Sequence, residues 1–145
     1  MKKLATFHSD MAPRMLEDES AGTQRIIQLA SILLEPEEDK VYVVDELDAK
    51  IHPWLMRSFV ESFINQSSEH KQLIFTTHES SLMDFGLLRR DEIWFAEKDG
   101  DGASRLYSLE EFNERSDRRI EKAYREGRYG GVPVFSAVFP YEADR

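Results

Sequence analysis

The sequence has no cysteine, which excludes disulfides and thiolate metal sites. No apolar stretch approaches the ~18 residues a membrane span requires. The opening "MKKLATFHSD" carries two lysines but no apolar run of signal-peptide length. These absences lead us to expect a cytosolic protein without a membrane partner. Positive charge is also scarce: the formal net charge is -9, which argues against broad, nonspecific nucleic-acid binding while leaving room for a local basic patch. Internal repeats and low-complexity tracts are missing too. What is present is a chain of 145 residues with 41% apolar and 32% charged residues. That is one domain's worth, long enough for a packed core.

The apolar pattern sets the organisation. In "RIIQLASILLEP", Ile26, Ile27, Leu29, Ala30, Leu33 and Leu34 follow helical spacing up to Pro36. "KVYVVDE" is a β-branched and aromatic run with acids only at its end, which predicts a strand buried on both faces. "HPWLMRSFVESFINQ" predicts a second helix, with Trp54, Leu55, Phe59, Phe63 and Ile64 in register and Pro53 in the first turn. "KQLIFTTH" predicts a second buried strand, and "SSLMDFGLLRR" a weak helix. "DEIWFAEKDGDGASRLYSL" predicts a hairpin about its Asp-Gly-Asp-Gly turn. "LEEFNERSDRRIEKAYREGRYGG" predicts a polar helix closed by glycine, so that hairpin and terminal helix occupy 91–130. Strand, helix, strand implies parallel strands joined by a crossover. The fold class is therefore α/β with a C-terminal β-hairpin and helix.

In open α/β sheets the working residues gather beyond the carboxyl ends of parallel strands. The first strand ends in Asp45-Glu46 and the second in Thr76-Thr77-His78. Adjacent strands would bring two acids and a histidine to one bound group, although solubilising or capping roles account for such residues taken singly. A third element is "ESAGTQR", where Ser20 and Gly22 open the first helix. Unpaired N–H groups and the helix dipole favour an anion there, and Gly22 leaves room for it; ordinary capping by Ser20 is the simpler alternative. His52 has no role fixed by spacing beyond starting the following helix.

In order, "ESAGTQ", "VYVVDELDAKIHP" and "IFTTHESSLMD" resemble the second half of an ABC-type ATPase domain. Residues 19–24 resemble its signature motif, 41–53 its Walker B and D-loop, and 72–78 its switch-histidine strand. "DELD" running into "HP", "TTH" and the late "GRYGGVP" are similar to AAA-type ATP-binding proteins related to the overcoming-lysogenisation-defect family. The resemblance implies a P-loop NTPase fold, with ATP and Mg²⁺ as cofactors. It implies that Asp45 holds Mg²⁺ through water, that Glu46 positions or deprotonates the attacking water, and that His78 contacts the γ-phosphate or orients that water. Ser20 and Gly22 then face the γ-phosphate of a nucleotide held mainly by a second protomer, and Asp48 lies along the dimer seam. Related bacterial systems couple such ATPases to an effector.

The departures matter as much. None of the seven glycines precedes a lysine, so no G-x-x-x-x-G-K-[ST] phosphate loop occurs. The signature deviates as well, with Ala21 and Thr23 about a single glycine. The resemblance thus covers a partial fold without its P-loop lobe, and we expect a C-terminal piece of a larger ATPase, inactive alone. The strand ending at His78 would then have an unpaired edge, with uncovered apolar surface and self-association as consequences. Two functions follow: part of a dimerising ATPase that drives a partner, or a non-catalytic module that docks on a separate P-loop-bearing subunit. Arg115, Arg118, Arg119, Lys122 and Arg125 form a basic stripe, but interleaved acids make a solvated helix with internal ion pairs the simpler account. Trp54, Trp94, Phe95 and Tyr107 are expected as core or hairpin-face residues, and Tyr129 and Phe135 as packing the tail back on the domain.

Overall fold

The computed structural model describes residues 5–6, 14–36, 39–66, 70–112 and 120–132. The chain divides into two compact units, Met1–Glu79 and Ser80–Arg145.

In the first unit, two short strands, β1 (Ala5–Thr6) and β2 (Arg14–Met15), pair antiparallel. They precede α1 (Ala21–Leu34), whose N-cap is Ser20: its side chain accepts the Thr23 N–H at 3.1 Å. Next come β3 (Lys40–Val44), α2 (Pro53–Gln66) and β4 (Lys71–Phe75). The strands β3 and β4 pair parallel in the register Lys40↔Lys71 to Val44↔Phe75, the arrangement expected of a strand-helix-strand crossover. His52 stands immediately before α2 and its Nδ1 accepts the Trp54 amide at 3.2 Å, so this histidine leads into the helix.

Burial departs from expectation at two places. β3 is covered on one face only: Tyr42 and Val44 point to the covered side, where the Tyr42 ring meets Phe63 of α2 edge-on at 6.2 Å. Val41 and Val43 point out, and Val43 is 74% exposed. A run apolar at every position fits two covered faces, but among the described residues the sheet has two strands and α2 covers one side. On α2 the buried stripe is Met56, Phe59, Val60 and Phe63, displaced from the predicted one. Trp54, expected in the core, is 77% exposed, and Leu55 and Ile64 are exposed as well, because they lie on the helix face turned away from β3.

In the second unit, β5 (Trp94–Lys98) and β6 (Ser104–Ser108) form the predicted antiparallel hairpin. Asp99 builds its turn: its carboxylate accepts the amides of Asp101 (3.0 Å) and Ala103 (2.8 Å), while Gly102 takes the left-handed φ of 85°. Phe95 and Tyr107 are buried as expected, whereas Trp94 is exposed on the other hairpin face. Tyr129 is buried too, its carbonyl accepting the Tyr107 hydroxyl at 2.7 Å; Phe135 lies outside the described residues.

The weak helix expected after His78 is a single 3-10 turn, Ser80–Leu82. Asp84 ends it by accepting the Gly86 amide on its own side chain, which competes with helical bonding. The expected terminal helix is described in two pieces. A 3-10 turn, Leu109–Glu111, is opened by a capping box on Ser108, and α3 runs over Ile120–Arg125. Gly127, with φ 78°, ends α3, and the Arg128 amide reaches the Ala123 carbonyl at 3.0 Å. Of the basic stripe, Lys122 pairs with Glu126 (3.6 Å) and Arg125 with Glu121 (3.8 Å), the expected i,i+4 pattern. Arg115, Arg118 and Arg119 lie outside the described residues.

Candidate functional site

Because β3 and β4 are parallel and in register, both exit at the same end of one sheet, and the segments after Val44 and Phe75 leave side by side. The ladder extends one step beyond the strands. The Thr76 amide donates to the Val44 carbonyl (3.1 Å) and the Leu47 amide to the Thr76 carbonyl (2.8 Å). The Thr76 hydroxyl accepts the Glu46 amide at 2.9 Å and donates to Asp45 Oδ1 at 2.5 Å. One threonine therefore fixes both acids of the pair.

The acidic segment is a tight loop. Glu46 has φ 48° and Lys50 φ 65°, left-handed values that cost a non-glycine residue on the order of 1–3 kcal/mol each. Between them Leu47 is 0% exposed. Burial of a leucine side chain contributes roughly 1.5–3 kcal/mol, comparable to the strain at Glu46. The turn that sends Leu47 inward is thus the one that leaves the neighbouring Glu46 carboxylate outside. That carboxylate is exposed and has no hydrogen-bond partner among the described residues.

Asp48, two residues on, reaches the histidine segment: its Oδ1 accepts the His78 amide at 3.2 Å. Partial burial pushes the Asp48 carboxyl up. Hydrogen bonds from the Thr77 hydroxyl, its own amide and the His78 amide, with the nearby His78 imidazole, outweigh it and hold the carboxyl below its ordinary value of 3.8. The His78 side chain itself is exposed.

Helix α1 contributes the third side. Ser20 Oγ, besides capping, lies 2.8 Å from Thr23 Oγ1. A side chain at Gly22 would put its Cβ 2.9 Å from the Lys50 carbonyl, so the helix and the 45–50 loop touch backbone to backbone there. One turn further on, Arg25 Nη2 donates to the carbonyls of Asp45 (3.0 Å) and Glu46 (2.9 Å). The structure therefore gathers Ser20, Gly22, Asp45, Glu46, Asp48 and His78 onto the loops at one end of the sheet and the helix beside them.

Sequence reasoning overlooked Arg25 and the connecting roles of Thr76 and Thr77. A cation one helical turn past a small-residue helix start, and hydroxyls flanking a strand end opposite acids, were the signals available.

A family model described as "AAA domain, putative AbiEii toxin, Type IV TA system" matches residues 7–84, more than half of the chain. The chain belongs to this AAA domain family. Membership makes it a P-loop-NTPase-like domain whose class of function is nucleotide binding and ATPase-like activity, and all six gathered residues fall inside the matched segment. The small α/β architecture agrees with part of such a fold. No curated protein matches the chain. Among the described residues no helix is long and apolar enough to cross a membrane.

An AAA domain implies a nucleotide and usually Mg²⁺. No cluster of three or more His, Asp or Glu side chains able to hold a metal occurs among the described residues. Mg²⁺ keeps several waters and takes one or two carboxylates plus substrate phosphates. Asp45, exposed and with one oxygen anchored on Thr76, provides such a carboxylate.

Proposed function

We propose that this chain supplies the signature, Walker B, D-loop and switch-histidine elements of an ABC-type ATPase that hydrolyses Mg-ATP between two protomers. Asp45 holds the ion through water. Bound Mg²⁺ neutralises charge on the phosphate oxygens. Glu46, with its carboxylate exposed and unpartnered among the described residues, orients the attacking water and takes its proton. His78 donates to the γ-phosphate, with its backbone held by Asp48. Ser20 and Gly22, at the N-terminus of α1, face the γ-phosphate of a nucleotide bound mainly by the opposing protomer. Asp48 runs along the seam between the two. With ATP as substrate the reaction belongs in the cytoplasm.

The observation that carries this reading is the pair of hydrogen bonds from the histidine strand to the acidic loop. Thr76 bonds the Asp45 carboxylate and His78 the Asp48 carboxylate, so acids and imidazole share one sheet end. The test is to mix the chain with a P-loop-bearing half and follow phosphate release. Hydrolysis that appears on mixing and disappears with Glu46→Gln supports the reading. A stable complex without hydrolysis favours the alternative, a non-catalytic module docked on a P-loop-bearing subunit. The uncovered apolar face of β3 and β4, with Val41, Val43 and Ile74 exposed, is the observation that keeps this alternative in play.

A further inference from the structure

The strongest unexplained feature is Arg25. Its Nη2 binds two successive carbonyls, those of Asp45 and Glu46, while its Nε is buried without a hydrogen-bond partner among the described residues. A buried donor left unpaired is unfavourable, so the side chain is held there by what its other end does. Of the two residues it grips, Glu46 is left-handed, at φ 48°. Three groups hold that turn: the Thr76 hydroxyl on the Glu46 amide, the guanidinium on the carbonyls to either side of that amide's α-carbon, and the Ala49 amide on the Glu46 carbonyl. Of these, only Arg25 comes from another helix.

We propose that Arg25 is a positioning residue that clamps α1 to the 45–50 loop and so holds the Glu46 carboxylate outward. The clamp has two jaws. Gly22 abuts the Lys50 carbonyl and Arg25 grips Asp45 and Glu46, so the first two turns of α1 touch both ends of the loop. A displacement of the helix N-terminus, where Ser20 and Gly22 face phosphate in the proposed function, is thereby passed to the Glu46 backbone. This coupling rests on that reading; the clamp itself does not. A short chain of hydrogen bonds and a backbone contact forms the physical path.

The experiment compares Arg25→Met, which keeps the apolar stem and loses the donors, with Arg25→Lys, which keeps a charged donor. Amide hydrogen exchange in the whole chain reads the clamp directly. In Arg25→Met the Glu46 and Leu47 amides are expected to exchange at least tenfold faster, with the Thr76 amide unchanged; Arg25→Lys falls between Met and wild type. Equal exchange at Glu46 and Leu47 in all three proteins, the result that stem packing alone would give, overturns the proposal. With a P-loop-bearing half added, Arg25→Met is expected to lower kcat at least tenfold with KM within about twofold, and Arg25→Lys to recover part of kcat. Absence of hydrolysis in the wild type would sink the ATPase reading, while the exchange data still decide the clamp.

Discussion

The two units solve the problem of apolar surface in opposite ways. In Ser80–Arg145 one ring organises the interior: Phe95 lies 5.5 Å from Tyr124 and 5.7 Å from both Tyr107 and Tyr129, with Phe112 at 6.4 Å. Ile93, Leu109, Ile120 and Ala123 complete that cluster. In Met1–Glu79 the sheet is covered on one face and leaves Val41, Val43 and Ile74 open, while its polar end carries two left-handed residues and every candidate site residue. Among the described residues, the unit with the closed core holds none of the candidate site residues, and the unit that holds them leaves apolar surface exposed. The closed core and the candidate site thus fall in different units, and separate substitutions test each of them.

The largest expected effect is at the acidic loop. Glu46→Gln removes a base without changing shape and should lower hydrolysis in the reconstituted pair by roughly 10²–10⁴-fold, with nucleotide affinity nearly unchanged, as measured by phosphate release and equilibrium binding. Next is the closed core. Phe95→Ala should destabilise the second unit by about 3–5 kcal/mol, and exchange of amides in β3 and β4 should stay as in wild type. If both units lose protection together, they do not fold separately and the comparison breaks.

A smaller effect concerns Asp48. Its folded carboxyl is depressed, so the stability it contributes is complete at neutral pH. It starts to fall as the pH nears the unfolded value of 3.8 and is gone below the folded one. Denaturant titrations of wild type and Asp48→Asn should therefore differ at pH 7 and converge under acid. The smallest effect on stability is expected on the open face. Val43→Lys should leave it within about 0.5 kcal/mol while reducing concentration-dependent self-association in light scattering. Unchanged association would show that this face is not where copies meet.

Much of this was legible beforehand where one local rule suffices. The helix stop before Pro36, the helix start at His52-Pro53, the Asp-Gly-Asp-Gly hairpin and the glycine closing α3 each follow from backbone chemistry within a few residues. The weak helix after His78 failed for an equally local reason, the side-chain bond of Asp84 to Gly86. The α2 stripe is different. Trp54 and Leu55 match helical spacing as well as Met56 and Val60 do, and only the position of β3 beside the helix selects between them.

By itself, the order of apolar runs and acids determined that Asp45-Glu46 and His78 would close successive parallel strands, since strand polarity and crossover length leave few other arrangements. Only the tertiary structure decided that Thr76 would join the two acids, that Leu47 would turn inward and force Glu46 left-handed, and that Arg25 would hold the result. Those contacts link residues 20 to 31 positions apart, and at such separations a local pattern can mark a side chain as a candidate while packing alone selects its partner.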